Sequence, residues 1–190
     1  MKHGKKLSRP ARVLTGAALI AAVAATGTVA ANAAGSTGTA APASAPAAAS
    51  GAAHGDLTQS THLTIDAALE GARAALDAAE KDGRHVTVAV VDRNGNTIVT
   101  LRGDGAGPQS YASAEKKAYT AVAWNAPTSE LAKRLQSAPT LKDIPGTLFL
   151  AGGAPVTAKG APVAGIGVAG APSGDLDEEY ARAGVAALGR

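Results

Sequence analysis

Apolar and polar positions alternate with two distinct periods after about residue 57, and the two periods predict helices and strands in turn. From Thr64 onward, Ile65, Ala68, Leu69, Ala72, Ala75, Leu76 and Ala79 recur at three- and four-residue intervals and form one helix face. Thr64 can cap this helix and Gly83 can stop it just past Lys81. The pattern then turns valine-rich from His85 to Asp92, which predicts a buried strand; Asn94-Gly95 turns the chain into a second strand over Thr97 to Arg102. Helical spacing returns from Tyr111 to Asn125, and Pro127 closes it. Thr128 can cap a short helix ending near Gln136. Thr147 to Ala151 predicts a short strand, Val156-Thr157 and Pro162 to Ala169 a hairpin, and Asp175 to Leu188 a last amphipathic helix. The predicted order is αββααβββα. Paired hairpins do not supply parallel crossovers, so the fold class is α/β in the α+β sense, an antiparallel sheet with helices packed on it.

The first sixty residues carry no such pattern. Lys2, Lys5, Lys6, Arg9 and Arg12 precede an apolar run from Val13 to Ala25, and Ala31-Asn32-Ala33 offers the small-x-small pattern of a cleavage site. This predicts a signal peptide over 1–33 and a protein exported from the cell. Residues 34–56, built of Ala, Pro, Ser, Gly and Thr, predict a linker with nothing large to bury. The folded domain is then 57–190.

Export changes the charge picture. The whole chain carries +3, but removal of the five basic residues of the signal leaves 13 basic against 15 acidic residues, or −2. With 3% aromatic residues and no basic stripe, nucleic-acid binding is not expected. The absence of cysteine excludes disulfides, thiolate haem ligands and cysteine-based zinc sites.

Five local patterns, in order, resemble the GlcG/HbpS family. They are Asp92-Arg93-Asn94-Gly95-Asn96, Arg102-Gly103-Asp104-Gly105, Ser113-Ala114-Glu115-Lys116-Lys117-Ala118, Phe149 to Val156, and Ala164 to Gly170. The likeness runs from about Leu63 to Leu188, and the signal peptide and linker bring the chain nearest to exported haem-binding members from actinomycetes. The resemblance implies a profilin-like fold, assembly into homo-oligomers (octamers), haem as cofactor, and service as accessory to a membrane sensor kinase.

Under that resemblance the helix after the glycine-rich loop is the candidate haem site. Lys116, Lys117, Tyr119 and Thr120 bring positive charge and oxygen donors beside Ala118 and Ala121, which suits a porphyrin with an apolar face and two propionates. Thr120 is the expected axial or near-axial group, and Tyr111 and Trp124 are candidates to flank the ring. His54 lies in the linker, while His62, just before the first helix, and His85, at the start of the first strand, are weaker candidates. Two carboxylate pairs at i and i+3, Asp77 with Glu80 and Asp175 with Glu178, are candidate sites for an iron ion. No nucleophile, base and orienter come together in a recognisable context, so no catalytic set is assigned. The expected function is an extracellular haem-binding protein that buffers or senses haem, iron and redox stress. The alternative is a family enzyme that degrades haem or acts on a small organic acid.

Overall fold

A computed structural model of the protein describes residues 51–189; the expected signal peptide and residues 34–50 of the expected linker lie outside the described residues. The elements are α1 (Ile65–Lys81), β1 (Thr87–Asp92), β2 (Thr97–Arg102), α2 (Pro108–Trp124), α3 (Thr128–Arg134), β3 (Gly153–Ala158), β4 (Ala161–Ala169) and α4 (Gly174–Ala187), with 3-10 turns at His54–Asp56 and Pro139–Asp143. The four strands form one antiparallel sheet in the order β2-β1-β4-β3. Among the described residues no helix is long and apolar enough to cross a membrane.

Strand alternation sorts the sheet into two unlike faces. Val86, Val88, Val90, Ile166 and Val168 point to the face covered by α1 and α4, and they pack there with Ala68, Ala72, Ala75, Leu76 and Tyr180 in the main core. Each such valine or isoleucine stabilises the fold by about 1.5–3 kcal/mol on burial. The other face is covered by α2, whose Ala114 and Ala118 lie over Ala89 and Val91. Gly165 and Gly167 of β4 allow that close approach, because a Cβ on either would run into the carbonyl oxygen of Ala118 or Ala114.

Two boundaries follow capping chemistry. Thr64 caps α1 by accepting from the Ala67 amide at 3.2 Å, and Ser173 caps α4 by accepting from Leu176 at 3.2 Å. α2 begins three residues earlier than its apolar period suggests, with Pro108 in the first turn, where a missing N–H costs nothing.

The structure corrects the expected strand over Thr147 to Ala151. No strand forms there, and the order is αββααββα. Phe149 turns into a side cluster with Ala126 and Leu131 and stands edge-on to Trp124, with ring centroids 5.6 Å apart. The Leu148 amide donates to Thr120 Oγ1 rather than to a neighbouring strand. Gly152, at φ 132°, then redirects the chain into β3. Thr128 is also not the cap of α3. It is the first helical residue, fully buried, and its hydroxyl accepts from the Gly153 amide at 2.7 Å.

Candidate functional site

α2 places its residues in opposite directions, and this divides the expected haem-site residues. Lys116 and Tyr119 line an open groove of about 190 Å³ between α2 and the β1–β2 hairpin, together with Val91, Gly95, Thr97, Glu115 and Gly146. Tyr119 packs against Val91, Ala118 and Val122 along one side. Its ring is slotted between two glycines of positive φ: a Cβ on Gly95 would lie 2.8 Å from Cε2, and one on Gly146 would lie 3.7 Å from Cε1. Glu115 closes the groove on the strand side, where its carboxylate accepts from the Thr100 hydroxyl at 3.4 Å.

Lys117, one residue from Lys116, points the other way. It is buried rather than solvated: Nζ donates to Asp177 Oδ2 at 2.7 Å and to the Val168 carbonyl at 3.0 Å, and Gly152 leaves the room for it. Burial pushes the Asp177 carboxyl above the usual carboxylate range, against the hydrogen bond from Lys117. Lys117 is therefore a tie between α2, β4 and α4, not part of the groove.

Thr120 is also fully buried. Its hydroxyl donates to the Lys116 carbonyl and accepts from the Leu148 amide, both at 2.7 Å, and so clasps the segment before β3 to α2. Tyr111 lies two helical turns before Tyr119, 48% exposed and outside the groove. Trp124 sits at the other end of α2, with the Arg134 guanidinium 5.8 Å from its ring centre. His62 hydrogen-bonds Ser60 at 2.7 Å, and the His85 ring lies beside Gly105 at the far end of β1.

Each carboxylate pair stays on one side of its helix. Asp77 and Glu80 lie on the exposed side of α1, with Asp77 4.0 Å from Arg73. Asp175 is exposed in a cleft of about 350 Å³ beside Ser129 and Arg182, but Glu178 at its base is committed. Glu178 Oε1 accepts from Ser129 Oγ at 2.8 Å and from Arg182 at 2.6 Å, while Oε2 accepts from the Ser129 amide at 2.8 Å. The carboxylate thus caps α3 from outside, since α3 has no cap side chain of its own. Burial pushes Glu178 up, but the hydrogen bonds from Arg182 and Ser129 outweigh it and hold the carboxyl below the usual glutamate value. Among the described residues no three His, Asp or Glu side chains are grouped to hold a metal ion.

Residues 63–186 match the family described as haem-degrading protein, HbpS-like. The chain belongs to the HbpS-like family. This HbpS-like chain is similar to a crystal structure of HbpS at 82% identity, with 74% of this chain and 100% of that one covered and a TM-score of 0.73. It is similar to a doubly substituted Streptomyces reticuli HbpS at 81% identity, covering 78% and 100% of the two chains, with a TM-score of 0.72. At 29% identity it is similar to PduOC, solved as a complex with heme, over 67% of this chain and 95% of that one, with a TM-score of 0.62. A search of curated proteins finds no match. The HbpS-like family ties the chain to a haem-related function and to an α+β antiparallel fold.

The groove residues that sequence reasoning missed are Val91, Glu115, Thr97, Gly95 and Gly146. Gly95 was legible as a turn through Asn94-Gly95, but nothing local to it shows that this turn closes on the Tyr119 ring.

Proposed function

We propose that this HbpS-like protein binds haem in the groove between α2 and the β1–β2 hairpin. The observation that carries the reading is the meeting of Lys116 and Tyr119 in one open groove. The Tyr119 ring suits the porphyrin face, and the Lys116 ammonium suits a propionate. At about 190 Å³ the groove is smaller than the roughly 300–1,000 Å³ of ligand pockets that enclose a small molecule. One subunit therefore covers part of a porphyrin, and a second subunit of a homo-oligomer covers the rest. Haem, when bound, supplies iron redox chemistry; the protein's part is to hold and orient it.

The protein acts outside the cell, exported by the 1–33 signal and cleaved after Ala33, where it buffers or senses haem, iron and redox state as accessory to a membrane sensor kinase. N-terminal sequencing of the protein recovered from culture medium tests export: a start at Ala34 supports it, and retention of the intact chain in the cell contradicts it. A second reading, haem degradation, is favoured by the description of the matched family, and progressive loss of the Soret band under turnover conditions distinguishes it from reversible binding.

Haemin titration followed at the Soret band tests binding itself. The reading predicts a saturable shift, weakened about tenfold or more in Lys116→Glu, which corresponds to about 1.4 kcal/mol. A shift that never saturates, or one indifferent to Lys116→Glu, contradicts it.

A further inference from the structure

We infer that Asn94, at the tip of the β1–β2 hairpin, is a site of spontaneous deamidation, and that the isoaspartate it yields moves this turn away from the Tyr119 ring. The inference stands apart from the haem reading. Asn94 is followed by Gly95, and the chemistry needs that order. The backbone nitrogen of Gly95 gives its proton to a solvent base and attacks Cγ of Asn94. The N–Cγ bond forms, the Cγ–Nδ2 bond breaks, and ammonia leaves with a proton taken back from solvent, which closes a succinimide ring. Water then opens that ring at one carbonyl or the other, giving aspartate or isoaspartate with no change of oxidation state. A side chain on the attacking residue would crowd the step, and glycine has none.

The asparagines among the described residues are Asn94, Asn96 and Asn125, and the structure sets the first apart. Asn94 is exposed, and its carboxamide enters no hydrogen bond among the described residues, so Cγ is free to turn toward the next nitrogen. Asn96 is exposed too, but its Nδ2 donates to Asp92 Oδ2 at 3.2 Å and the β-branched Thr97 follows it. Asn125 holds φ 48° at the end of α2 and precedes the buried Ala126. One bond restrains the reaction: the Gly95 N–H donates to the Asp92 carbonyl at 3.0 Å. An exposed turn tip opens at little cost, so that bond slows the attack without stopping it.

Isoaspartate carries the chain through its side-chain carbon and so adds one atom to the backbone just before Gly95. The turn has no slack for it. Asp92 Oδ1 pins the Asn94 and Asn96 amides, both at 2.8 Å, and a Cβ on Gly95 would lie only 2.8 Å from Tyr119 Cε2. The ring blocks inward movement, so the lengthened turn moves outward, toward solvent. The change also leaves a carboxylate beside Gly95, which lines the groove with Lys116. The hairpin tip thus carries a slow, one-way chemical change whose structural effect falls on one tyrosine.

The test incubates the purified, folded protein at mildly alkaline pH beside Asn94→Gln and Asn94→Asp, with circular dichroism to confirm folding. Peptide mapping by mass spectrometry follows the loss of ammonia at each asparagine. The expected result is a loss at Asn94 about tenfold or more faster than at Asn96 or Asn125, with isoaspartate and aspartate both formed, and no such product in Asn94→Gln. The isoaspartate form, separated by ion exchange, is expected to shift the Tyr119 ring signals in NMR. Asn94→Asp, which adds the same charge without lengthening the chain, is expected to leave them nearly in place. Survival of Asn94 in the folded protein for as long as Asn96 and Asn125 overturns the site. Tyr119 signals unmoved in the isoaspartate form, or moved equally in Asn94→Asp, overturn the effect on the ring.

Discussion

Lys117 Nζ lies 2.7 Å from Asp177 Oδ2, with the two side chains only 3% and 5% exposed, so one buried ion pair joins the middle of α2 to the first turn of α4. Asp177 also accepts from the Ala171 amide at 2.9 Å, which fixes the chain between β4 and α4. A charge left alone in such a place is costly, whereas removing both charges together is nearly neutral. Lys117→Met should therefore destabilise the protein by about 3–5 kcal/mol in urea unfolding, and Lys117→Met with Asp177→Leu should recover most of that loss. Equal and additive costs from the two substitutions would show that the pair is not coupled.

Gly165 and Gly167 set the distance between α2 and the sheet. An alanine at either position puts a methyl group into α2 backbone rather than into a side chain that can swing aside. Each substitution should cost at least about 3 kcal/mol, at the upper end of overpacking effects. Gly160→Ala meets open space, and its φ of 78° limits the expected cost to about 1–2 kcal/mol. Denaturant midpoints for the three variants check the contrast.

Thr120 makes its contribution through a backbone amide. Thr120→Val leaves the Leu148 N–H without its partner, at an expected cost of about 1–3 kcal/mol, while Thr120→Ser keeps the hydroxyl. Hydrogen exchange at Leu148 should quicken in the valine variant and stay slow in the serine variant. Equal exchange in both would remove the clasp.

Glu178 gives the acid limb of stability a definite sign. Its folded-state value lies below the ordinary 4.5, because hydrogen bonds from Arg182 and Ser129 outweigh burial. Its stabilisation is thus complete above about pH 4.5 and is lost as pH falls through the folded value. Glu178→Gln should make stability flatter with pH over that interval. Asp177 runs the other way: burial raises its value above 3.8, so its ionisation costs stability as pH rises, and Asp177→Asn should change the slope in the opposite sense. Urea unfolding at stepped pH values reads both slopes.

The fold was largely legible because its signals are local. Thr64, Gly83, Asn94-Gly95 and the valines of β1 each act through their immediate neighbours, and the elements that they predict are present. Thr147 to Ala151 misled because Leu148 and Phe149 are apolar in a strand-like run, yet their partners, Thr120 and Leu131, lie far away in sequence. The site was legible only as a helix. Lys116 and Lys117 are adjacent and alike, and no periodicity in so alanine-rich a helix shows which of them is buried. That choice is made by Asp177, 60 residues further on. Likewise nothing local to Asp175 and Glu178 shows that Ser129, 49 residues earlier, holds the Glu178 carboxylate together with Arg182.

The central claim is that haem occupies the groove between α2 and the β1–β2 hairpin. Amide NMR of the purified protein during addition of ferric haemin tests this most directly, since the paramagnetic iron broadens nearby signals. The account predicts early, saturable broadening at Gly95, Thr97, Lys116, Tyr119 and Gly146, with the apolar groove at Leu63, Val163 and Val185 left sharp. Broadening confined to that second groove, or none at any haemin concentration, would contradict it.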